Sequence, residues 1–384
     1  MRIAERMHFV PFSEIRVVFE EVSRREQAGQ KIYHLEIGRP DFDTPVNIKE
    51  AAKRALDAGL VHYTSNYGLM ELRQAIARRF KQYNGLDYNP ENEIVVTAGG
   101  TEAMLIATMA LLDPGDEVLI PTPIFQHCIY NTRMAGAVPV LVPLDENNGF
   151  IPDMDLLRAH ITPRTKMLVI TTPSNPTGTI LHRNSLEGLA QLAQEYNLYV
   201  IADEIYDKMI YDEQVHVSMA GLPGMRDRTL TLNGFSKTYS MTGWRLGYVA
   251  AHANLISAMI RIHQYSVSCA TSFAQWGAVE ALNGPQDSVA AMVGEFDRRR
   301  QMVYQRLTAM PGLKVTRPQG AFYIYINITG LGQSSAQIAR LLLEKAQVAV
   351  VPWTEVHIRV AYTTSYDNLA AAMDRMETVL GGLK

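Results

Sequence analysis

The chain has 384 residues, with 36 basic and 39 acidic side chains and a formal net charge of −3. That length suits roughly two to three domains, and the near balance of charge excludes the clustered basic excess of a nucleic-acid footprint. Apolar residues at 47% against 20% charged exclude a disordered chain, and no apolar run approaches the ~20 residues that span a bilayer. The first residues include Arg2, Glu5, Arg6, Glu14 and Arg16 and lack the apolar centre of a signal peptide. Two cysteines, Cys128 and Cys269, are too few for a disulfide framework or a Cys-rich metal site. Both are expected to be core thiols of a cytoplasmic protein that holds no metal.

In chain order, short apolar runs alternate with helical patterns from about Glu93 to Ala251. The runs are Ile94–Ala98, Val118–Ile120, Val138–Val142, Met167–Thr171, Leu198–Ala202, Leu230–Leu232 and Gly247–Ala250. Several are continuous rather than alternating, as in strands covered on both faces. Between them, Thr101–Leu112 follows Gly99-Gly100 and stops at Asp113-Pro114-Gly115. Asn184–Tyr196 places Leu186, Leu189 and Leu192 on one face behind Asn184 at the N-cap. The alternation predicts an α/β fold with a mostly parallel sheet sandwiched by helices. Further on come a long charged helix, Asp287–Ala309, an alternating strand, Gly320–Ile326, and helical stretches at Ser335–Gln347 and Tyr366–Leu380. We therefore expect a large unit over residues 41–284 and a smaller α+β unit from 1–40 and 285–384, parted near Gly284-Pro285.

Ligands of open parallel sheets bind at the carboxyl ends of the strands. Five strand ends here deliver Gly99-Gly100-Thr101-Glu102, Pro121-Thr122-Pro123-Ile124-Phe125, Pro173-Ser174-Asn175-Pro176-Thr177-Gly178, Asp203-Glu204-Ile205-Tyr206 and Asn233-Gly234-Phe235-Ser236-Lys237. One edge thus gathers a glycine turn, an aromatic ring, an amide, a carboxylate and a lysine. Each alone has an ordinary explanation: a solvated lysine, a turn-capping aspartate, turn chemistry at Asn175, core packing for Phe125. Together they suit a cofactor with an aldehyde, a phosphate arm and a ring nitrogen, which is pyridoxal 5′-phosphate (PLP). Lys237 can lose its proton in a dry pocket and attack a carbonyl. Gly100 and Thr101 open a helix whose N–H groups suit a phosphate, with Ser236 and Arg245 nearby in sequence. Asp203 can keep a ring nitrogen protonated, Asn175 and Tyr206 can bind a ring oxygen, and Phe125 can stack on the ring.

The stretches Pro173–Gly178, Ala202–Tyr206 and Ser236-Lys237-Thr238-Tyr239-Ser240-Met241-Thr242-Gly243-Trp244-Arg245-Leu246-Gly247 resemble the signatures of the class I/II aminotransferases, PLP enzymes of fold type I. The resemblance runs from Gly38-Arg39-Pro40-Asp41-Phe42 and Tyr63–Gly68 to Ile358-Arg359-Val360, nearly the whole chain. It implies a Schiff base and proton shuttle at Lys237, pairing of Asp203 with the pyridinium nitrogen, and binding of the ring oxygen by Asn175 and Tyr206. It implies a phosphate site at Gly100, Thr101, Ser236 and Arg245, with Phe125 on the ring. The substrate α-carboxylate would be held by Arg359 with help from Gly38 and Asn175. Tyr63 would reach the phosphate of a neighbouring subunit, so the resemblance implies a homodimer.

The implied reaction moves the α-amino group of an aspartate, aromatic or neutral donor to 2-oxoglutarate or a similar 2-oxo acid, in ping-pong fashion. A carbon–sulfur β-lyase could use the same lysine, aspartate and arginine and is the alternative. A PLP-binding regulator would need a DNA-binding segment, for which residues 1–40 are too short. No second arginine stands out as a clamp for a distal carboxylate, and the pocket-facing candidates Ile15 and Phe125 are apolar. The chain departs from the family where members carry a glycine-rich loop of roughly ten residues before the carboxylate-binding arginine. Here Val351-Pro352 is followed at once by Trp353-Thr354-Glu355-Val356-His357-Ile358-Arg359.

Overall fold

The computed structural model describes residues 2–383. Its strands in chain order are β1 (Tyr33–His34), β2 (Ile94–Thr97), β3 (Glu117–Thr122), β4 (Val138–Pro143), β5 (Thr165–Thr171), β6 (Tyr199–Asp203), β7 (Thr229–Gly234), β8 (Gly247–Ala250), β9 (Lys314–Val315), β10 (Tyr323–Asn327), β11 (Val348–Ala349), β12 (Val351–Thr354) and β13 (His357–Ala361). A seven-stranded sheet has the order β2-β8-β7-β6-β5-β3-β4. Strands β3 to β7 pair in parallel, while β8 lies antiparallel between β2 and β7. Because β8 runs against its neighbours, it begins where they end: Gly247 faces Thr97 on one side and Gly234 on the other. Arg245, just ahead of β8, therefore joins the carboxyl ends of β2 and β7.

The continuous apolar runs follow from cover on both faces. Val118, Ile120, Met167 and Val169 enter one core with the helices Gly100–Leu111 and Ala253–Ser266; Leu119, Leu168 and Ile170 enter another with Arg183–Glu195. Each such side chain contributes roughly 1.5–3 kcal/mol on burial. A third core joins β2 and β8 to residues of the helices Val46–Asp57, Met70–Asn84 and Ser272–Asn283.

A second sheet, β12-β13-β10-β9, is antiparallel and shares a core with the helices Asp287–Ala309 and Tyr366–Gly381. β1 pairs in parallel with β11, and Leu35 continues the contact, its N–H donating to Ala349 O and its carbonyl accepting from Ala361 N. This lays residues 35–38 alongside the end of β13. Among the described residues no helix is long and apolar enough to cross a membrane.

Three local expectations change. The helix expected from Asn184 starts at Arg183 with His182 at its N-cap. Leu181 before the cap and Leu186 in the first turns share one core, a hydrophobic staple that sets the start without a side-chain cap. The helix expected over Ser335–Gln347 is α-helical only to Leu341, then makes a π-turn over Leu342–Ala346 and ends with Gln347 at φ 56°. Cys128 is buried as expected, but Cys269 is partly exposed and lies outside the core, because it sits in the bend that follows the helix Ala253–Ser266.

Candidate active site

Lys237 follows β7. Its Nζ donates to the Gly38 carbonyl at 2.6 Å and lies 5.6 Å from the Phe322 ring centroid and 5.9 Å from that of Tyr206. Burial pushes its ammonium down to about 8, helped by the cations Arg359 and Arg245, while Asp203 opposes the shift. A fraction of the amine is thus neutral near pH 7, as a nucleophile or base requires. Gly38 tolerates no side chain, since a Cβ there would fall on the Tyr323 hydroxyl.

Asp203 ends β6 and is buried. Its Oδ1 accepts the Ile205 N–H at 3.2 Å, and its Oδ2 lies 3.8 Å from His127 Nε2. Burial raises its carboxyl to about 6 and lowers the His127 imidazole to about 4, so at neutral pH the contact joins a carboxylate to a neutral ring. A ring cation set against Asp203 would pull its pKa back down. Phe125 packs on His127 with centroids 4.8 Å apart. Tyr206 is buried, its hydroxyl 2.9 Å from that of Tyr323. Burial and that neighbour push it well above the usual phenol range, so it stays a protonated donor.

Arg359 lies in β13 and is 1% exposed. Nη1 donates to Asn175 Oδ1 at 3.1 Å and Nη2 to the Glu36 carbonyl at 2.6 Å, while Nε has no partner. The guanidinium stacks 4.4 Å from the Tyr323 ring centroid and 5.1 Å from that of Trp353. No carboxylate pairs with it among the described residues. A buried cation without a counter-ion is costly, and an incoming carboxylate would supply one.

At the other end of this edge, Gly99 is the N-cap of the helix Gly100–Leu111 at φ 85°, and no side chain caps that helix. A Cβ on Gly99 would meet Arg245 Nη2 at 2.6 Å, and β8 packs so closely that one on Gly247 would meet Gly100 N at 2.7 Å. The result, among the described residues, is a turn of bare N–H groups beside an exposed guanidinium whose only hydrogen bond goes to Thr242 O at 3.0 Å. Such a cradle suits a phosphate. Ser236 is partly buried next to Lys237, and Thr101 is exposed beside Gly100. Lone acid, neutralisable lysine, cation-lined cradle and unpaired guanidinium together fit the residues to PLP and an amino-acid substrate.

The structure thus pairs Lys237 with the Gly38 carbonyl and Arg359 with Asn175 and with the Glu36 carbonyl two residues before Gly38, puts Tyr206 against Lys237, and sets Arg245 beside the Gly99-Gly100 turn. Tyr63 is 88% exposed and is not brought into this group. Sequence reasoning did not assign roles to His127, Tyr323, Glu36 or Trp353. Tyr323 was within reach, since it alternates inward in the strand after Gly320. His127 carries no local signal, because its approach to Asp203 depends on how β3 and β6 stack in the sheet. Where members of the family carry the glycine-rich loop, this chain makes a tight turn, with Thr354 paired to His357 across Glu355-Val356.

Residues 30–376 match the family described as aminotransferase class I and II. The chain is 45% identical to an aspartate aminotransferase of Pyrococcus abyssi over 99% of its own length and 98% of the relative's. It is 42% identical to aromatic-amino-acid aminotransferase 2 of Thermococcus litoralis, over 99% and 98%. Among solved structures, the aspartate aminotransferase of Thermus thermophilus with maleate superimposes at a TM-score of 0.94 with 39% identity, covering 99% of this chain and 100% of that one. The coverage, the fold and the site agree: this chain belongs to the class I and II aminotransferases, fold type I enzymes that transfer amino groups with PLP.

Proposed function

We propose that the enzyme takes the α-amino group of an aspartate, aromatic or neutral amino acid and gives it to 2-oxoglutarate or a similar 2-oxo acid. The observation that carries this is Arg359, a buried guanidinium with two of its five N–H donors on neutral oxygens, an unpartnered Nε and, among the described residues, no counter-ion. When bound, PLP supplies an aldehyde for an amine and a ring that draws electrons from the substrate Cα. Gly100 and Thr101 N–H groups, the Ser236 hydroxyl and Arg245 hold its phosphate. Asp203, ionised at neutral pH, holds a proton on the ring nitrogen; Tyr206 and Asn175 donate to the ring oxygen, and Phe125 covers one face. Arg359 grips the α-carboxylate with both Nη groups, assisted by Asn175 and the backbone at Gly38, and so aims the Cα–H bond at Lys237. Lys237 then moves the proton at Cα. The aminotransferase names of the relatives disfavour the β-lyase alternative.

The active unit is a homodimer in which Tyr63 serves the neighbouring phosphate. Its exposure supports this, as does the further exposed apolar surface of Val61, Tyr265 and Val267. The division into units 41–284 and 1–40 with 285–384 is supported by the separate cores of the two main sheets. Two measurements test the reading. Half reactions with aspartate, phenylalanine and alanine must convert the bound cofactor to its amine form without releasing ammonia; ammonia and pyruvate release would refute it. Mixed dimers of Tyr63→Ala and Lys237→Ala chains must regain turnover per native site only if Tyr63 acts across the interface.

A further inference from the structure

A buried cluster beneath the Ala98–Thr101 turn is left unused by the roles above. Glu102, in the first turn of the helix Gly100–Leu111, is buried. Its Oε2 accepts the Ala98 N–H at 2.5 Å, and its Oε1 faces His263 Nδ1 at 2.8 Å and accepts the Ser266 hydroxyl at 3.0 Å. His263 and Ser266 come from the last turn of the helix Ala253–Ser266, and His263 is fully buried with Nε2 unpartnered. The carboxylate therefore ties the residue before the Gly99 turn to a helix from another part of the chain.

The connection has a directional consequence. Ala98 is the last residue before Gly99 takes φ 85° and before the uncapped N–H groups of Gly100 and Thr101. Gly99 N is already committed to Thr97 O at 2.8 Å, and the Thr97 hydroxyl donates to Gly99 O at 3.1 Å. With Ala98 N held by Glu102, both the Ala98 and Gly99 N–H groups and the Gly99 carbonyl are tied to protein partners on the approach to the turn. A glycine-rich turn samples many shapes unless it is tied, and preorganised donors bind an anion without a cost of ordering.

We propose that Glu102 is a positioning residue for the cofactor phosphate, held in place by His263 and Ser266. It touches no cofactor atom; it acts through the Ala98 N–H on the shape of the Gly99–Thr101 turn. The inference rests on the reading of that turn as the phosphate site. The test compares PLP with pyridoxal, which lacks the phosphate, on cofactor-free wild type and on Glu102→Ala, Glu102→Gln and Ser266→Ala. Affinity is read by absorbance titration and folding by thermal melting.

Loss of a hydrogen bond to a charged group predicts about a 10- to 100-fold weaker PLP affinity in Glu102→Ala, with pyridoxal affinity unchanged. Glu102→Gln, which keeps an acceptor for Ala98 N–H, recovers most of it, and Ser266→Ala shows the same selectivity at a few-fold. Equal weakening for PLP and pyridoxal, unchanged PLP affinity, or a Glu102→Gln defect as large as that of Glu102→Ala overturns the proposal. If Glu102→Ala does not fold, the Gln and Ser266 variants carry the same comparison. Wild type that shows no preference for PLP over pyridoxal would overturn the phosphate assignment itself, a distinct result.

Discussion

Replacing Arg359 by lysine tests the substrate reading most directly. The guanidinium is planar and its two Nη groups can meet both oxygens of a carboxylate, whereas an ammonium on a flexible stem can hold only one oxygen in a fixed direction. One charge-assisted hydrogen bond of about 1.5–3 kcal/mol is lost. At ~1.36 kcal/mol per decade, that lowers kcat/KM by about 10- to 150-fold. The loss must be similar for aspartate and for an aromatic donor, because Arg359 is read as touching the part they share. The substitution also strips Asn175 Oδ1 or the Glu36 carbonyl of a donor, and both residues are buried. A lower melting temperature should accompany the kinetic defect, at about 1–3 kcal/mol per orphaned group. PLP affinity should change little. The assay is single-turnover half-reaction kinetics with both donors, plus a PLP titration. A defect confined to one donor would show that Arg359 reads the side chain, and a defect confined to PLP binding would remove it from the substrate site.

Three further outcomes are expected. Lys237→Ala abolishes the visible band of the lysine-bound cofactor and cuts turnover by at least about 10³-fold while PLP still binds through its phosphate; wild-type turnover would refute the assignment. Asp203→Asn lowers kcat far more than PLP affinity, because an amide holds no proton on the ring nitrogen by charge; equal kcat in the two proteins rules the role out. Lys237→Met stabilises the cofactor-free protein near neutral pH. The folded-state pKa of Lys237 lies at about 8, below its ordinary 10.5, so the unfolded chain binds the extra proton between those values and wild-type stability rises with pH there. Chemical denaturation at pH 7 and pH 10 reads the difference, and a gain over wild type that fails to shrink with rising pH contradicts the buried-ammonium argument.

The parts of the site carried on the ends of buried strands were legible in the sequence. Continuous Val/Ile/Leu runs mark those strands, and the polar residues right after each run must emerge at one edge. Asp203, Asn175 and Lys237 were placed by that reasoning. Arg359 was not accessible to it: a single arginine in a strand looks like any surface arginine, and only the family pattern singled it out. Its burial depends on β13 lying between β10 and β12 and on residues 35–38 folding back from the far end of the chain. The direction of β8 was equally hidden, since Gly247–Ala250 has the same pattern whichever way it runs. The helices Glu14–Gln27, Val46–Asp57, Met70–Asn84, Ala253–Ser266 and Ser272–Asn283 were not singled out, nor were the short strands β1, β9, β11, β12 and β13. The two-residue strands are too brief for periodicity to register.

The reversal of β8 turns the stretch between β7 and β8 into a calibrated spacer. Gly234 and Gly247 are paired across the ladder, and both ends of the intervening segment are therefore clamped to the sheet. Lys237 leaves from the first end and Arg245 from the second, so one covalent segment sets the distance between the amine and the guanidinium. Most surface connections absorb an added or deleted residue by bulging outward. This one cannot do so without moving one reactive group relative to the other, because Phe235, Tyr239, Met241 and Leu246 are buried along its length. Insertions and deletions should be tolerated in the stretch Glu213–Val215, whose Glu213 and Val215 are exposed, and not between residues 235 and 246. Redesign of this enzyme for other cofactor analogues therefore has to alter side chains within that segment while leaving its residue count untouched.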